Sequence, residues 1–396
     1  MSKRREIWLI VLLGTLSAFG PLSMDMYLPS LPELQQQLHT TTSLTQLSIT
    51  TCLIGLAIGQ IFIGPYSDKV GRKKPTLMGL IFFTLASLLA SLATNIWWLI
   101  ILRFIQGLAG SAGLVTSRAI ASDLFSGKKL TKFYALLMAV NGIFPVIAPI
   151  IGGFVLTFTN WRGIFYILTA IGIGLFFLVL FGLQETLPAP TANEQTKTGL
   201  VLKQLLHDKI FMGYTLVNGL VSGGLFAYIS GSSFMLQNIF GLSSQGFSLL
   251  YALNGLGIVV MSQLAGSLAT RYDERHVLKG GVLVALLGAI LLFITLFLPH
   301  HLSYVVAPLF LIVSMVGIVS TVASSLAMQH EKKNSGSASA VLGLSQNLIG
   351  GLLSPFVGIM GRDTYLPMAA LILMCEVAAL MTYQLTIGKT DHPTTK

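Results

Sequence analysis

Ser43–Gly64 reads SLTQLSITTCLIGLAIGQIFIG, Pro75–Thr94 reads PTLMGLIFFTLASLLASLAT, and PYSDKVGRKK (Pro65–Lys74) lies between them. The two flanks contain no charged residue, while the ten residues between them contain five. At about 1.5 Å per residue, a helix of either flank crosses a hydrocarbon core of about 30 Å. Lipid offers no hydrogen bonds, so an isolated spanning segment must pair its own backbone groups, and a helix does so. A barrel would instead show alternating strands of about ten residues with long outer loops, and these are absent. The stretch therefore reads as helix, basic turn, helix, with the turn on the cytoplasmic side.

The pattern continues along the chain. Apolar segments fall at 7–28, 43–64, 75–94, 97–122, 132–157, 162–183, 210–236, 245–269, 277–298, 302–328, 335–359 and 364–388. Twelve spans of about 22 residues use roughly 264 residues and leave about 11 per connection, which is too few for a large soluble domain. The 396 residues are 54% hydrophobic and 10% charged, with a mean hydropathy of +0.79. Soluble domains carry about 25% charged residues, so a soluble enzyme is a poor fit.

The net charge of +10 is explained by topology better than by nucleic acid. Twenty Lys and Arg residues fall in loops and tails on one side of the alternation. The other side holds Arg162 and Arg362, and Arg103 and Arg118 lie within the fourth span. This places both termini in the cytoplasm. Lys3, Arg4 and Arg5 precede a long apolar run without a small-residue cleavage site, so the first span is expected to remain. The polar stretch from Gln184 to Lys209, with Pro188 and Pro190, reads as a linker (185–209) between six-helix halves at 1–184 and 210–396. Gly64 and Gly266 each close the second span of a half, a faint internal repeat of the kind many transporters share. Cys52 and Cys375 fall inside spans, without metal-ligand spacing or support for a disulfide.

Ionisable groups inside spans are costly and so informative. They are Asp25, Arg103, Arg118, Asp123 and Glu376. Asp25 is about 27 Å from the cytoplasmic start of its span and Arg103 about 30 Å from the cytoplasmic end of its own, so their depths match. Arg118 is about 22 Å closer to the cytoplasm, roughly 60° around the helix from Arg103. Gln106, Gly107, Gly110 and Ser117 line roughly the same stripe. Burial favours the neutral form of a carboxyl and a nearby guanidinium favours the ion. Asp25 therefore reads as a proton carrier tuned by Arg103, in preference to a static pair joining two helices. Arg118 and Asp123 read as gate or packing contacts. Glu376 reads as a protonated or locally paired acid, with a second protonation site as the alternative.

The loop Gly64–Lys74 is the strongest local motif. Glycine permits a tight turn, and Asp68 is suited to accept from a helix N-terminus or to pair with a basic residue. Gly55 and Gly59 form a small-xxx-small pair for close helix approach. Gly107, Gly110, Gly113, Gly152, Gly153, Gly350 and Gly351 read the same way. Pro145 and Pro149 free carbonyls in the fifth span, as a static bend or a hinge. Phe226, Tyr228, Phe234 and Met235 in the seventh span read as core or lipid-facing residues, with a pocket for apolar solutes as the alternative. His300 and His301 lack the company that a metal site needs. No nucleotide-binding, nucleophile-elbow or zinc-protease motif occurs, so no cofactor and no catalytic residue is assigned.

These features resemble the major facilitator superfamily and its twelve-span drug:proton antiporters. GPYSDKVGRKK is similar to the family's loop between helices two and three, with Gly64, Asp68, Gly71, Arg72 and Lys73 at the matching positions. RFIQG (Arg103–Gly107) resembles the helix-four motif whose arginine is implicated in proton coupling. PVIAPIIGG (Pro145–Gly153) resembles the helix-five antiporter motif at Pro149, Gly152 and Gly153, with Ala148 where glycine is usual. FGPLSMDMYLPSLP (Phe19–Pro32), FAYISGSSFML (Phe226–Leu236) and GSASAVLGLSQ (Gly336–Gln346) resemble helices one, seven and eleven of the bicyclomycin-resistance (Bcr/CflA) branch, with Ser233 where that pattern often has proline.

The resemblance implies an all-α membrane protein of twelve transmembrane helices in two six-helix bundles. It implies export of small amphipathic molecules, such as amphenicols or bicyclomycin-like antibiotics, in exchange for protons. Expected proton-coupling residues are Asp25 and Arg103. Expected substrate contacts are Tyr27, Gln106, Arg118, Phe226 and Tyr228. Expected gate residues are Asp68 and Arg72. The partners are a small-molecule substrate, protons and the lipid bilayer of the cell membrane, with no nucleic acid and a monomeric chain. The alternatives are a proton-coupled metabolite exporter and, from another class, a non-transporting sensor or scaffold.

Overall fold

The computed structural model describes residues 3–124, 143–144, 146–186, 204–269, 271–299, 301–330, 335–361 and 363–388, apart from the side chains at 3, 65, 68, 69, 122, 335–337, 339 and 340. Every regular element among these residues is helical. We number them α1 (Lys3–Asp25), α2 (Thr42–Val70), α3 (Lys73–Ser91), α4 (Ile96–Leu124), α5 (Val146–Val155), α6 (Trp161–Gly182), α7 (Lys209–Phe234), α8 (Ser244–Ala269), α9 (Glu274–Ile294), α10 (Leu302–His330), α11 (Ser335–Leu353) and α12 (Leu366–Thr382). Eleven helical segments among the described residues are long and apolar enough to cross a membrane. The shorter α5 is the described part of the span expected at 132–157. Lys128, Lys129, Lys132 and Pro145 lie outside the described residues, as do most of the linker, His300 and Arg362.

Local chemistry sets several helix starts. Thr41 Oγ1 accepts from the Leu44 amide at 3.3 Å and Asn160 Oδ1 from the Arg162 amide at 3.0 Å. Asp208 Oδ1 accepts from the amides of Ile210 and Phe211, both at 2.9 Å, and Asp273 Oδ1 from that of Arg275 at 2.7 Å. Each cap satisfies donors that have no partner within the first turn. α2 ends at Gly71, whose φ of +95° is strained for a residue with a Cβ.

The first span departs from the continuous helix expected at 7–28. α1 stops at Asp25, and a 3-10 turn (Leu28–Ser30) and a short helix (Leu31–Gln37) carry the path onward. Pro29 supplies the reason. It has no N–H for the Asp25 carbonyl four residues earlier, and its ring disfavours continuing the helix. Pro355 acts similarly beyond α11, where a 3-10 segment runs from Ser354 to Gly358.

Two compact units result, Met1–Ala192 with Leu242–Ala252, and Asn193–Gly241 with Leu253–Lys396. The first unit therefore includes the opening turns of α8. Within it, α4 packs against α1, α2 and α3, and α3 packs against α6. In the second unit α7 packs against α10, α11 and α12, and α9 packs against α10 and α12. Glycine allows the closest approaches. A Cβ at Gly107 would overlap the Cys52 carbonyl oxygen of α2, and one at Gly317 would overlap the Ile258 carbonyl oxygen of α8. Phe62, Phe82, Trp97, Phe158, Phe181, Phe297 and Met374 point outward and are exposed. So much outward apolar surface suits lipid and would drive association in water.

Candidate functional site

The break after α1 creates the site. The Tyr27 amide turns back to the Met24 carbonyl at 3.1 Å instead of completing a helical bond to Ser23. The Ser23 carbonyl instead accepts from Arg103 Nη1 on α4 at 3.4 Å. Arg103 is fully buried, and Nη1 also donates to Gln106 Oε1. Gln106 is held in turn, its Nε2 donating to Ser87 Oγ of α3 at 2.7 Å. The guanidinium carbon lies 4.8 Å from the Tyr27 ring centroid and 5.9 Å from that of Phe165, within cation–π range. Tyr27 is fixed by a 3.0 Å bond between its hydroxyl and Ser48 Oγ. Arg103 Nε and Nη2 have no hydrogen-bond partner among the described residues.

Asp25 is buried at the last residue of α1, and the Tyr251 hydroxyl donates to its Oδ1 at 3.2 Å. Among the described residues Asp25 and Arg103 form no ion pair. The structure brings the arginine to the carbonyl two residues before Asp25 rather than to the carboxyl itself. α5 covers the same break. A Cβ at Gly152 would overlap the Met26 carbonyl oxygen, and one at Gly153 would overlap Ser248 Oγ. Pro149 is buried in α5.

A second polar cluster surrounds the turn from α2 to α3. Arg72 is buried and grips Asp123 of α4 through Nε at 2.9 Å and Nη2 at 3.4 Å, while Nη1 donates to Ser67 Oγ at 2.9 Å. Thr186 Oγ1 adds a 3.1 Å bond to Asp123. The Glu185 carboxylate accepts from the Arg72 amide at 2.7 Å and the Lys73 amide at 3.1 Å. It thereby caps the N-terminus of α3, where a negative charge is stabilised by the helix dipole. Lys73 Nζ donates to the Leu180 carbonyl at 2.8 Å, at the opposite pole of α6. Gly71 is needed twice, for its φ and because a Cβ would overlap the Glu185 carboxylate. The Asp68 side chain lies outside the described residues. Among the described side chains, Glu185 caps the helix and Asp123 pairs with Arg72. A Cβ at Gly64 would meet nothing within 4 Å.

The remaining expected residues lie elsewhere. Arg118 is exposed on α4, about 22 Å along the helix from Arg103, and is not brought to the α1 break. Phe226 and Tyr228 belong to the second unit. Phe226 is partly buried against Gly350, and the Tyr228 hydroxyl accepts from Asn254 Nδ2 at 2.8 Å. Sequence reasoning missed Tyr251, Ser87 and Glu185 as site residues. Their signals were a hydroxyl inside an apolar span for the first two, and an acid directly after the sixth span for the third.

Eleven long apolar helices among the described residues, with a break, a buried acid and a buried cation in the first unit, mark a multi-span membrane protein, and comparison with known proteins gives its class. The family model of the Major Facilitator Superfamily matches residues 11–355. The chain belongs to that superfamily and groups with its bicyclomycin-resistance (Bcr/CflA) branch. It is 40% identical to the uncharacterized MFS-type transporter YdgK of Bacillus subtilis, over 96% of this chain and 95% of that one. It is 28% identical to a bicyclomycin resistance protein homolog of Haemophilus influenzae, over 97% of each. A chloramphenicol resistance protein of Pseudomonas aeruginosa is also 28% identical, over 94% of this chain and 88% of its own. The fold matches a bacterial homolog of the human lysosomal transporter Spinster at a TM-score of 0.80 and 16% identity, over 100% of both chains.

Proposed function

We propose that the protein is a proton-driven antiporter of the cell membrane that exports small amphipathic compounds such as amphenicols or bicyclomycin-like antibiotics. The observation that carries this reading is the buried Asp25 at the α1 break, bonded to Tyr251 and close in sequence to the carbonyl held by Arg103. The relatives named for bicyclomycin and chloramphenicol resistance support the substrate class. In this reading Asp25 takes a proton from the outer side and releases it to the cytoplasm as its exposure alternates, and substrate leaves in the other half-cycle. The two unused donors of Arg103 stabilise the carboxylate once the proton has gone. One charge crossing the membrane yields about 2.3 kcal/mol per 100 mV, enough to sustain a substantial solute gradient. Tyr27 and Gln106 line the substrate path beside Arg103. Arg72 with Asp123, and Glu185 on the start of α3, hold the cytoplasmic gate. Both termini are cytoplasmic, 185–209 links the bundles, and the chain works as a monomer.

The test is Asp25→Asn in proteoliposomes containing an amphenicol. The variant should fold as wild type and lose exchange driven by an imposed pH gradient. Wild-type gradient-driven exchange by a folded Asp25→Asn variant would refute the role.

A further inference from the structure

Glu376 lies near the middle of the last apolar span, Leu366–Ile387, on α12. Its side chain has no solvent-exposed surface. Neither carboxyl oxygen has a hydrogen-bond partner among the described residues. The facing surface of α7 is bare backbone: a Cβ at Gly224 would sit 3.3 Å from Glu376 Oε1, and one at Gly223 would sit 3.4 Å from the sulfur of Cys375. The aliphatic neighbour at Gly224 is Ile372.

Titratable neighbours are sparse on every element packed against it. Cys375 is adjacent on α12 itself and buried. On α7 the nearest titratable residue toward the C-terminus is Tyr228, one turn beyond Gly224, and its hydroxyl is bonded to Asn254; toward the N-terminus it is Tyr214. The titratable residues of α9, Glu274, Arg275, His276 and Lys279, gather in its first two turns. The Arg275 carbonyl accepts from the Tyr383 hydroxyl at 3.1 Å, which places that end of α9 about two turns of α12 away from Glu376.

An ionised carboxylate in such surroundings would have neither water, donor nor counter-charge, so the neutral acid is the form that fits. A cavity large enough for an organic cation is incompatible with a side chain sealed on all sides. A proton needs no cavity. We propose that Glu376 is a second proton-exchange site, in the second unit, loaded in the state seen here and emptied when the transport cycle admits water to it. This rests on the antiport reading above and adds a carrier to it. With Asp25 alone, one proton enters per substrate molecule leaving. With Glu376 as well, two protons enter, and a neutral substrate is exchanged against two positive charges.

The experiment measures the substrate gradient at which net flux stops in proteoliposomes of the full-length chain. The probe is a neutral amphenicol, with one unit of pH gradient and the membrane potential clamped to zero. Wild type should reach about a hundredfold gradient and Glu376→Gln about tenfold, because each coupled proton contributes one factor of ten per pH unit. Should Gln fold poorly as an unpartnered amide, Glu376→Met is the second variant, since it fills similar space without polar groups. A tenfold ceiling in wild type, an unchanged ceiling in the folded variants, or loss of exchange in both overturns the second site. Those outcomes leave Asp25 untouched, whereas undiminished coupling in Asp25→Asn would remove the reading on which the second site rests.

Discussion

Replacing Arg103 by methionine separates a structural role from a coupling role. The side chain keeps its length, so little cavity opens. Ser23 O and Gln106 Oε1 would lose their donor from Nη1. Leaving two acceptors buried and unpaired costs about 2–6 kcal/mol. Losing the cation over the rings of Tyr27 and Phe165 costs about 1–2 kcal/mol more. Against this, Nε and Nη2 are already unpartnered. Removing two buried orphan donors relieves about 2–6 kcal/mol. The terms nearly cancel, so folding stability should change by no more than about 2 kcal/mol, or about 2–3 °C in Tm for 396 residues. Exchange driven by a pH gradient should fall at least tenfold, the effect of about 1.4 kcal/mol on a barrier. Arg118→Met on the exposed part of the same helix should stay within about 0.5 kcal/mol in stability and keep its coupling. The assays are thermal unfolding in detergent and proteoliposome flux. Equal loss of coupling in both folded variants, or a Tm fall above about 6 °C in Arg103→Met, would show the reasoning to be wrong.

Gly152→Ala should lower Tm by about 1–4 °C, from an overpacking cost of about 1–3 kcal/mol, because its Cβ meets the backbone oxygen of Met26. Gly153→Ala should cost less, since the atom it meets first is the rotatable Ser248 hydroxyl. An equal Tm for wild type and Gly152→Ala in a thermal-shift assay would contradict the close approach. Asp208→Ala should destabilise the start of α7 by about 1 kcal/mol at neutral pH. Burial pushes the Asp208 carboxyl up, but the Phe211 amide, His330 and the Ile210 amide together hold it below its ordinary value. A lowered native value means stability that is present at neutral pH and lost as pH falls through that value. The difference between wild type and variant in chemical unfolding should therefore shrink below about pH 4. A gap independent of pH would count against an ionised cap.

The spans were legible because spanning a bilayer is a local property. Composition over about twenty residues decides it, and the ends of α3, α6 and α9 fall within a few residues of the apolar limits. Asp25 and Arg103 were legible because charges are rare in such segments. Their partners were not. Helical spacing tells which residues share a stripe, but not which helix that stripe meets. Hence Tyr251 and Ser87 gave no sign of serving Asp25 and Gln106. Sharing a stripe with Arg103 did not fix the surroundings of Arg118, which is exposed about 22 Å further along α4. Glu185 escaped notice because a linker acid carries no period at all, although it caps α3 more directly than any residue of the turn itself. Pro29 stood in view, yet a smooth apolar run from 7 to 28 hid its consequence.

That consequence explains why Asp25, Arg103 and Gly152 come together. Pro29 leaves the Asp25 carbonyl without a helical donor, and α1 ends there. The tightened turn that follows directs the Tyr27 amide to Met24 and frees the Ser23 carbonyl, which Arg103 takes. It also bares the Met26 carbonyl, which can be approached closely by α5 because position 152 lacks a side chain. Irregular backbone at membrane depth persists only where protein or water satisfies and covers it. Arg103 and Gly152 thus satisfy and cover the break, and the break in turn places a carboxyl at the end of a helix, where small backbone rotations alter its surroundings. In the proposed antiport, coupling accordingly depends on backbone geometry as much as on charge. An acid moved one turn earlier on the unbroken part of α1 would keep the charge and lose the adjoining freed carbonyls.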